Sequence, residues 1–199
     1  VLADEIYEKL VYDDFKFTSF ASLGAEIKNR TILVNGISKS YAMTGWRVGY
    51  TAAPEYIINA INKIQSHTTS HASTISQYAA VEAVSGPQYV INEMIDEFRK
   101  RRNFFHNELI SINGITCYKP EGAFYLFPNI SRYFKTRSDV LKIDNSFDFA
   151  MHLLYEAHIA AVPGSAFGSE GFLRMSYSTS MENLQEAIYR LKNALEKIH

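Results

Sequence analysis

The sequence predicts an α/β fold: a mainly parallel sheet with helices, followed by a smaller α+β unit. Three observations carry this expectation. Short apolar runs that read as strands alternate with segments whose apolar residues recur at spacings of three and four. A long helical stretch then interrupts the alternation. After about residue 112 the pattern changes to closely spaced strand-like runs around turn residues. The expected division is residues 1–87, a long connecting helix over 88–112, and a small C-terminal domain over 113–199.

Residues 1–6 read as a short buried strand, 31–34 as a second and 48–51 as a third. The first strand is already under way at Val1, with no Met, cap or turn before it. This suggests a truncated chain, or alternatively a processed mature N-terminus. Pro54 suits the first position of a helix, and Ile57, Ile61 and Ile64 form its apolar stripe. A second helix is expected over 74–84, ended by Gly86-Pro87. The long helix over 88–110 has the stripe Ile91, Met94, Ile95, Phe98, Phe105 and Leu109. The basic run Arg99-Lys100-Arg101-Arg102 inside it reads as a solvated face. Strands are expected over 115–118 and 123–127, a helix over 147–157, and strands over 158–162 and 172–177. The last helix has Thr179 and Glu182 at capping-box spacing and a core face of Leu184, Ile188, Leu191, Leu195 and Ile198.

Hydrophobic residues make up 47% of the 199-residue chain and charged residues 21%, so a sizeable core is available. A net charge of -1 offers no electrostatic footprint for nucleic acid or an anionic membrane. The single Cys117 excludes an internal disulfide and a cysteine-rich metal site, and suits a reducing cytoplasm, the expected location. No apolar run approaches a membrane span. His67 and His71 have helical i, i+4 spacing but no evident third ligand, so no metal is expected.

Chemistry concentrates in the stretch from Gly36 to Gly49, Gly-Ile-Ser-Lys-Ser-Tyr-Ala-Met-Thr-Gly-Trp-Arg-Val-Gly. Lys39 follows the end of a strand among small residues, and Arg47 lies at the mouth of the next strand. Ligands of open α/β sheets bind at strand ends, and small residues let a bulky ligand approach the backbone. A shielded lysine attacks carbonyl carbon, and arginine presents a planar fork to phosphate. By residue type alone, both would be surface charges.

In order and spacing, this stretch resembles the lysine signature of the class I aminotransferases, fold-type I enzymes that use pyridoxal 5'-phosphate. The resemblance runs through the whole chain and is closest to the bacterial aspartate aminotransferases with Ala-Met-Thr-Gly-Trp-Arg after the lysine. It implies that residues 1–87 are the C-terminal part of a large cofactor-binding domain. It implies that Lys39 condenses with the cofactor aldehyde and that Arg47 binds its phosphate. Asp4-Glu5-Ile6-Tyr7 resembles the strand end whose Asp holds the pyridine nitrogen and whose Tyr contacts the ring hydroxyl, here Asp4 and Tyr7. Phe172-Leu173-Arg174-Met175-Ser176 places a lone arginine in an apolar strand, where an unpaired buried charge is costly and should meet an anion. A structural ion pair would also satisfy it; by resemblance Arg174 instead clamps the substrate's α-carboxylate. The segments 120–125 and 162–168 resemble two further family segments, with Phe124 either walling the pocket or serving as plain core.

The implied activity of the intact protein is transamination between an amino acid, aspartate by family, and a 2-oxo acid, 2-oxoglutarate by family, in a homodimer. A lyase of the same fold and an inactive isolated fragment are the alternatives. One departure is Gly36, where some relatives carry a phosphate-contacting Ser. The phosphate-binding helix start and the ring-stacking aromatic of relatives lie upstream of the matched region.

Overall fold

The computed structural model describes residues 1–138 and 141–198. The chain divides into two compact units, Val1–Ile95 and Asp96–His199. No helix among the described residues is long and apolar enough to cross a membrane.

In the first unit, β1 (Leu2–Asp4) pairs in parallel with β2 (Ile32–Gly36), and β2 pairs antiparallel with β3 (Gly49–Ala52). The sheet order is β1-β2-β3. A parallel neighbour needs a long crossover. The segment between β1 and β2 supplies it and contains the short helix α1 (Ala25–Lys28). Two longer helices follow, α2 (Glu55–Thr68) and α3 (Thr74–Ser85). Pro54 precedes α2 as its cap residue, with ψ 144°, instead of occupying the first turn. The backbone enters the helix one residue later than expected, because Pro54 remains extended. His71 lies beyond the end of α2, so the helical spacing expected of His67 and His71 is absent. Its Nδ1 is instead 2.7 Å from the carbonyl of Ala72.

The expected stripe of α2 is not a core face in this chain. No residue of the helix is buried, and Ile64 is 67% exposed. On α3, Ile75, Tyr78 and Val81 are likewise exposed, and only Ser76 is buried. An amphipathic helix normally hides its apolar side. This unit therefore presents a large apolar surface.

The boundary between the units falls inside α4 (Tyr89–Ile110). The second unit has the sheet order β4 (Tyr125–Leu126), β8 (Leu173–Ser176), β7 (Val162–Pro163), all antiparallel. A separate hairpin joins β5 (Thr136–Arg137) to β6 (Lys142–Ile143). The run over 115–118 contributes only a bridge, Thr116 to Asn129, rather than a strand. Helix α5 (Ser146–His152) continues as a π-turn over Leu153–Ala157 and stops at His158, whose φ of 52° is left-handed. Helix α6 (Met181–Leu195) buries Leu184, Ile188, Leu191, Ala194 and Leu195, a 3.6-residue stripe. His152, fully buried, donates its Nε2 proton to the carbonyl of Ala194 at 3.0 Å and ties α5 to α6.

Two local expectations are corrected here. Arg102 is 0% exposed, so the basic run is not a solvated face along its length. It shares a helical face with buried Phe105 and Leu109, at spacings of three and seven. Helix periodicity carries it inward while Lys100 stays outside, 70% exposed. The cap of α6 is Ser180, whose Oγ accepts from the Asn183 backbone at 3.2 Å. Thr179 accepts only from the Asn183 side chain. Ser180→Ala should therefore destabilise the chain by about 1 kcal/mol. Thr179→Ala should cost clearly less, with both read as shifts of a urea unfolding midpoint.

Candidate active site

Strand pairing brings four of the sequence-selected residues to one end of the first unit's sheet. Asp4 ends β1, opposite Val34 of β2. Tyr7 lies three residues beyond it. Lys39 follows the end of β2, and Arg47 precedes β3, whose first residue, Gly49, pairs with Gly36. Because β2 and β3 run antiparallel, the exit of one and the entry of the other are neighbours.

Consecutive tight turns shape the lysine loop. The backbone amides of Tyr41, Ala42 and Met43 donate to Ile37, Lys39 and Ser38 carbonyls. Tyr41 Oη donates to Gln88 Oε1 at 3.2 Å. Gln88 Nε2 in turn donates to the carbonyls of Ala83 and Gly86, so the loop is stapled to the end of α3. Lys39 is half-buried, and its Nζ lies 6.0 Å from the Tyr7 ring centroid. Asp4 is exposed; its Oδ1 accepts from the Ile6 backbone at 3.2 Å, and no cation pairs with it among the described residues.

Arg47 is exposed and left-handed, φ 55° and ψ 46°. For a residue other than glycine this costs about 1–2 kcal/mol and must be held by its surroundings. Its guanidinium donates to the Thr44 carbonyl at 3.0 Å, and no described carboxylate pairs with it. Gly36 has a packing reason of its own. A Cβ there would lie 3.0 Å from the Val48 carbonyl and 3.2 Å from Gly49 Cα. The close approach of β3 therefore disfavours the Ser found in some relatives.

A cleft of about 620 Å³ opens beside this end of the sheet, lined by Ile37, Val48, Tyr50, His71 and Val81 among others. Partial burial, and then the nearby Glu8 carboxylate, Tyr41 and the Glu5 carboxylate, push the Tyr50 phenol above its usual range. It stays a proton donor at neutral pH.

Sequence reading passed over Glu5. Its carboxylate is 6% exposed and accepts from Ser19 Oγ at 3.0 Å and the Phe20 amide at 2.9 Å. It fixes the strand end from which Asp4 and Tyr7 project. Only the acidic doublet Asp4-Glu5 hinted at it, since its partners lie fourteen and fifteen residues away.

Arg174 belongs to the second unit. On β8, Leu173 and Met175 are buried while Arg174 is half-buried, the alternation of a strand with one core face. The premise of a charge buried in an apolar strand is thus corrected: period two turns Arg174 to the opposite face from the core. No described carboxylate pairs with it; its guanidinium carbon lies 4.7 Å from the ring centroids of both Tyr125 and Phe167. Phe124 stacks on Phe98 at 5.6 Å and packs on Tyr125 at 4.8 Å.

The family model for aminotransferase class I and II matches residues 1–191. The chain belongs to that family. Its enzymes depend on pyridoxal 5'-phosphate. The chain is 47% identical to a probable aspartate/prephenate aminotransferase of Rickettsia felis, covering 100% of this chain and 49% of the relative. It is 45% identical to an aspartate aminotransferase of Geobacillus stearothermophilus, covering 98% and 49%. Among solved structures, the Rhizobium meliloti aspartate aminotransferase superposes with a TM-score of 0.95 at 44% identity, covering 100% of this chain and 50% of that one. An aromatic aminotransferase from Pyrococcus horikoshii gives 0.89 at 41%, covering 98% and 50%. The chain thus spans about half the length of the curated relatives it matches. The matched half is the C-terminal one.

Proposed function

We propose that this chain forms the lysine-bearing half of a cytoplasmic, pyridoxal-phosphate-dependent aminotransferase, with aspartate as amino donor and 2-oxoglutarate as acceptor. In this reading residues 1–87 end the large cofactor-binding domain, 88–112 form the connecting helix and 113–199 form the small domain. One observation carries the proposal: an amine, a carboxylate, a phenol and a guanidinium lie at one end of the sheet, with Asp4 and Arg47 uncommitted to ion pairs among the described residues.

That donor set suits a group bearing an aldehyde, a basic ring nitrogen, a ring hydroxyl and a phosphate. Lys39 would bind the aldehyde, Asp4 would keep the ring nitrogen protonated, Tyr7 would contact the hydroxyl and Arg47 the phosphate. Bound there, the cofactor supplies an electron sink for the bonds at an amino acid's α-carbon. Lys39 then holds and moves the α-carbon proton. Arg174 orients the substrate by its α-carboxylate.

The exposed apolar sides of α2 and α3 call for cover, which the remainder of the intact enzyme or a second subunit would supply; the homodimer itself is proposed from the resemblance. The isolated chain is expected to be inactive. The test is a panel of amino donors supplied to the intact enzyme. Keto-acid-dependent amino transfer, fastest with aspartate, is the expected result. Release of ammonia and pyruvate without a keto acid would assign a lyase instead. Transfer from other donors with none from aspartate would refute the substrate assignment alone.

A further inference from the structure

Arg174 is steadied by rings rather than by a counter-charge. Tyr125 lies on β4 and Phe167 follows β7, the two strands on either side of β8. The rings therefore reach the guanidinium from both neighbours of its strand, each at 4.7 Å. Both are braced in turn. Phe127 meets Phe167 edge-on at 6.1 Å and stacks on Phe172 at 5.0 Å. Tyr125 rests on Phe124.

This arrangement has a chemical consequence. A carboxylate partner would occupy the in-plane N–H groups of the guanidinium, the same groups a bound carboxylate needs. Aromatic rings attract the cation through their faces instead and consume no donor. They also restrict the rotamers of a long side chain before any ligand arrives, so less freedom is lost on binding.

We propose that Phe167, acting with Tyr125, is a positioning residue that holds Arg174 with its donor edge open for a planar carboxylate. The inference rests on the reading of Arg174 as the α-carboxylate site. Phe167 is 47% exposed, so its truncation opens no core cavity.

The test uses the intact holoenzyme, with aspartate and 2-oxoglutarate as substrates. Phe167→Leu should raise KM for both substrates about tenfold, because each carries the same α-carboxylate, while kcat changes less than about threefold. Phe167→Tyr should restore both. Arg174→Ala should raise KM further, and the Phe167→Leu/Arg174→Ala double variant should be no worse than Arg174→Ala alone, since the ring acts only through the arginine. Unchanged KM values in Phe167→Leu, with Arg174→Ala strongly impaired, would overturn the positioning role and leave the carboxylate site standing. Additive losses in the double variant would do the same. Unchanged KM values in Arg174→Ala would remove the carboxylate site itself, and the positioning role with it.

Discussion

Lys39→Ala in the intact enzyme is expected to lower amino transfer by on the order of 10⁴-fold or more, with cofactor binding retained. The size of the effect would follow from the two duties proposed for this one amine: covalent capture of the aldehyde and proton movement at the α-carbon. The other groups proposed to hold the cofactor, the Asp4 carboxylate, the Tyr7 phenol and the Arg47 guanidinium, would let binding survive. Lys39→Arg should be as inactive as the alanine variant, because a guanidinium keeps the charge but is not a competent nucleophile at neutral pH. Borohydride reduction followed by peptide mapping should fix the cofactor on residue 39 of the native enzyme and nowhere in the variant. Normal amino transfer by Lys39→Ala would sink the assignment.

The largest effect on stability is expected at Arg102. Its Nη1 donates to the Pro120 carbonyl at 2.9 Å, and its Nε and Nη2 donate to Asn103 Oδ1 at 3.2 and 2.9 Å. The side chain is fully buried beside Phe105 and Leu109. Arg102→Ala removes these donors, strands their acceptors and leaves a cavity the size of a long side chain. The expected cost is about 3–5 kcal/mol, read from urea unfolding of the chain. Arg102→Met fills much of the volume but still strands the acceptors, so about 1–3 kcal/mol is expected. Lys100→Ala, two positions away on the exposed side, should be close to neutral. Equal, small effects at positions 100 and 102 would contradict the burial of Arg102.

The two sites show which parts of this molecule could be read in advance. The lysine stretch stood out because its order and spacing resemble a family signature; by residue type alone, Lys39 and Arg47 would have read as surface charges. Arg102 was misread because a run of four basic residues was weighed as a block, whereas a helix distributes neighbouring residues over different faces. The cap of α6 slipped by one residue for a related reason. Thr179 and Ser180 are both hydroxyl cap types, and the backbone's entry into the helix selects Ser180. The stripe of α2 was identified correctly as apolar but not as exposed, since burial depends on what lies against the helix.

By itself, the sequence determined the family, through its resemblance, the longer helices and most of the strands, and the residue types that crowd the lysine stretch; it did not show the β5–β6 pair or α1, and its strand over 115–118 is only a bridge. What it did show is written in short-range spacing, which steric and hydrogen-bonding rules convert directly into local structure. The tertiary structure alone decided that Asp4, Lys39 and Arg47 lie at the same end of one sheet, that Glu5 anchors that end, and that Arg174 lies between aromatic rings. Those facts depend on strand pairing and packing between segments far apart in the chain, where many partners are compatible with each residue and only the folded whole selects one.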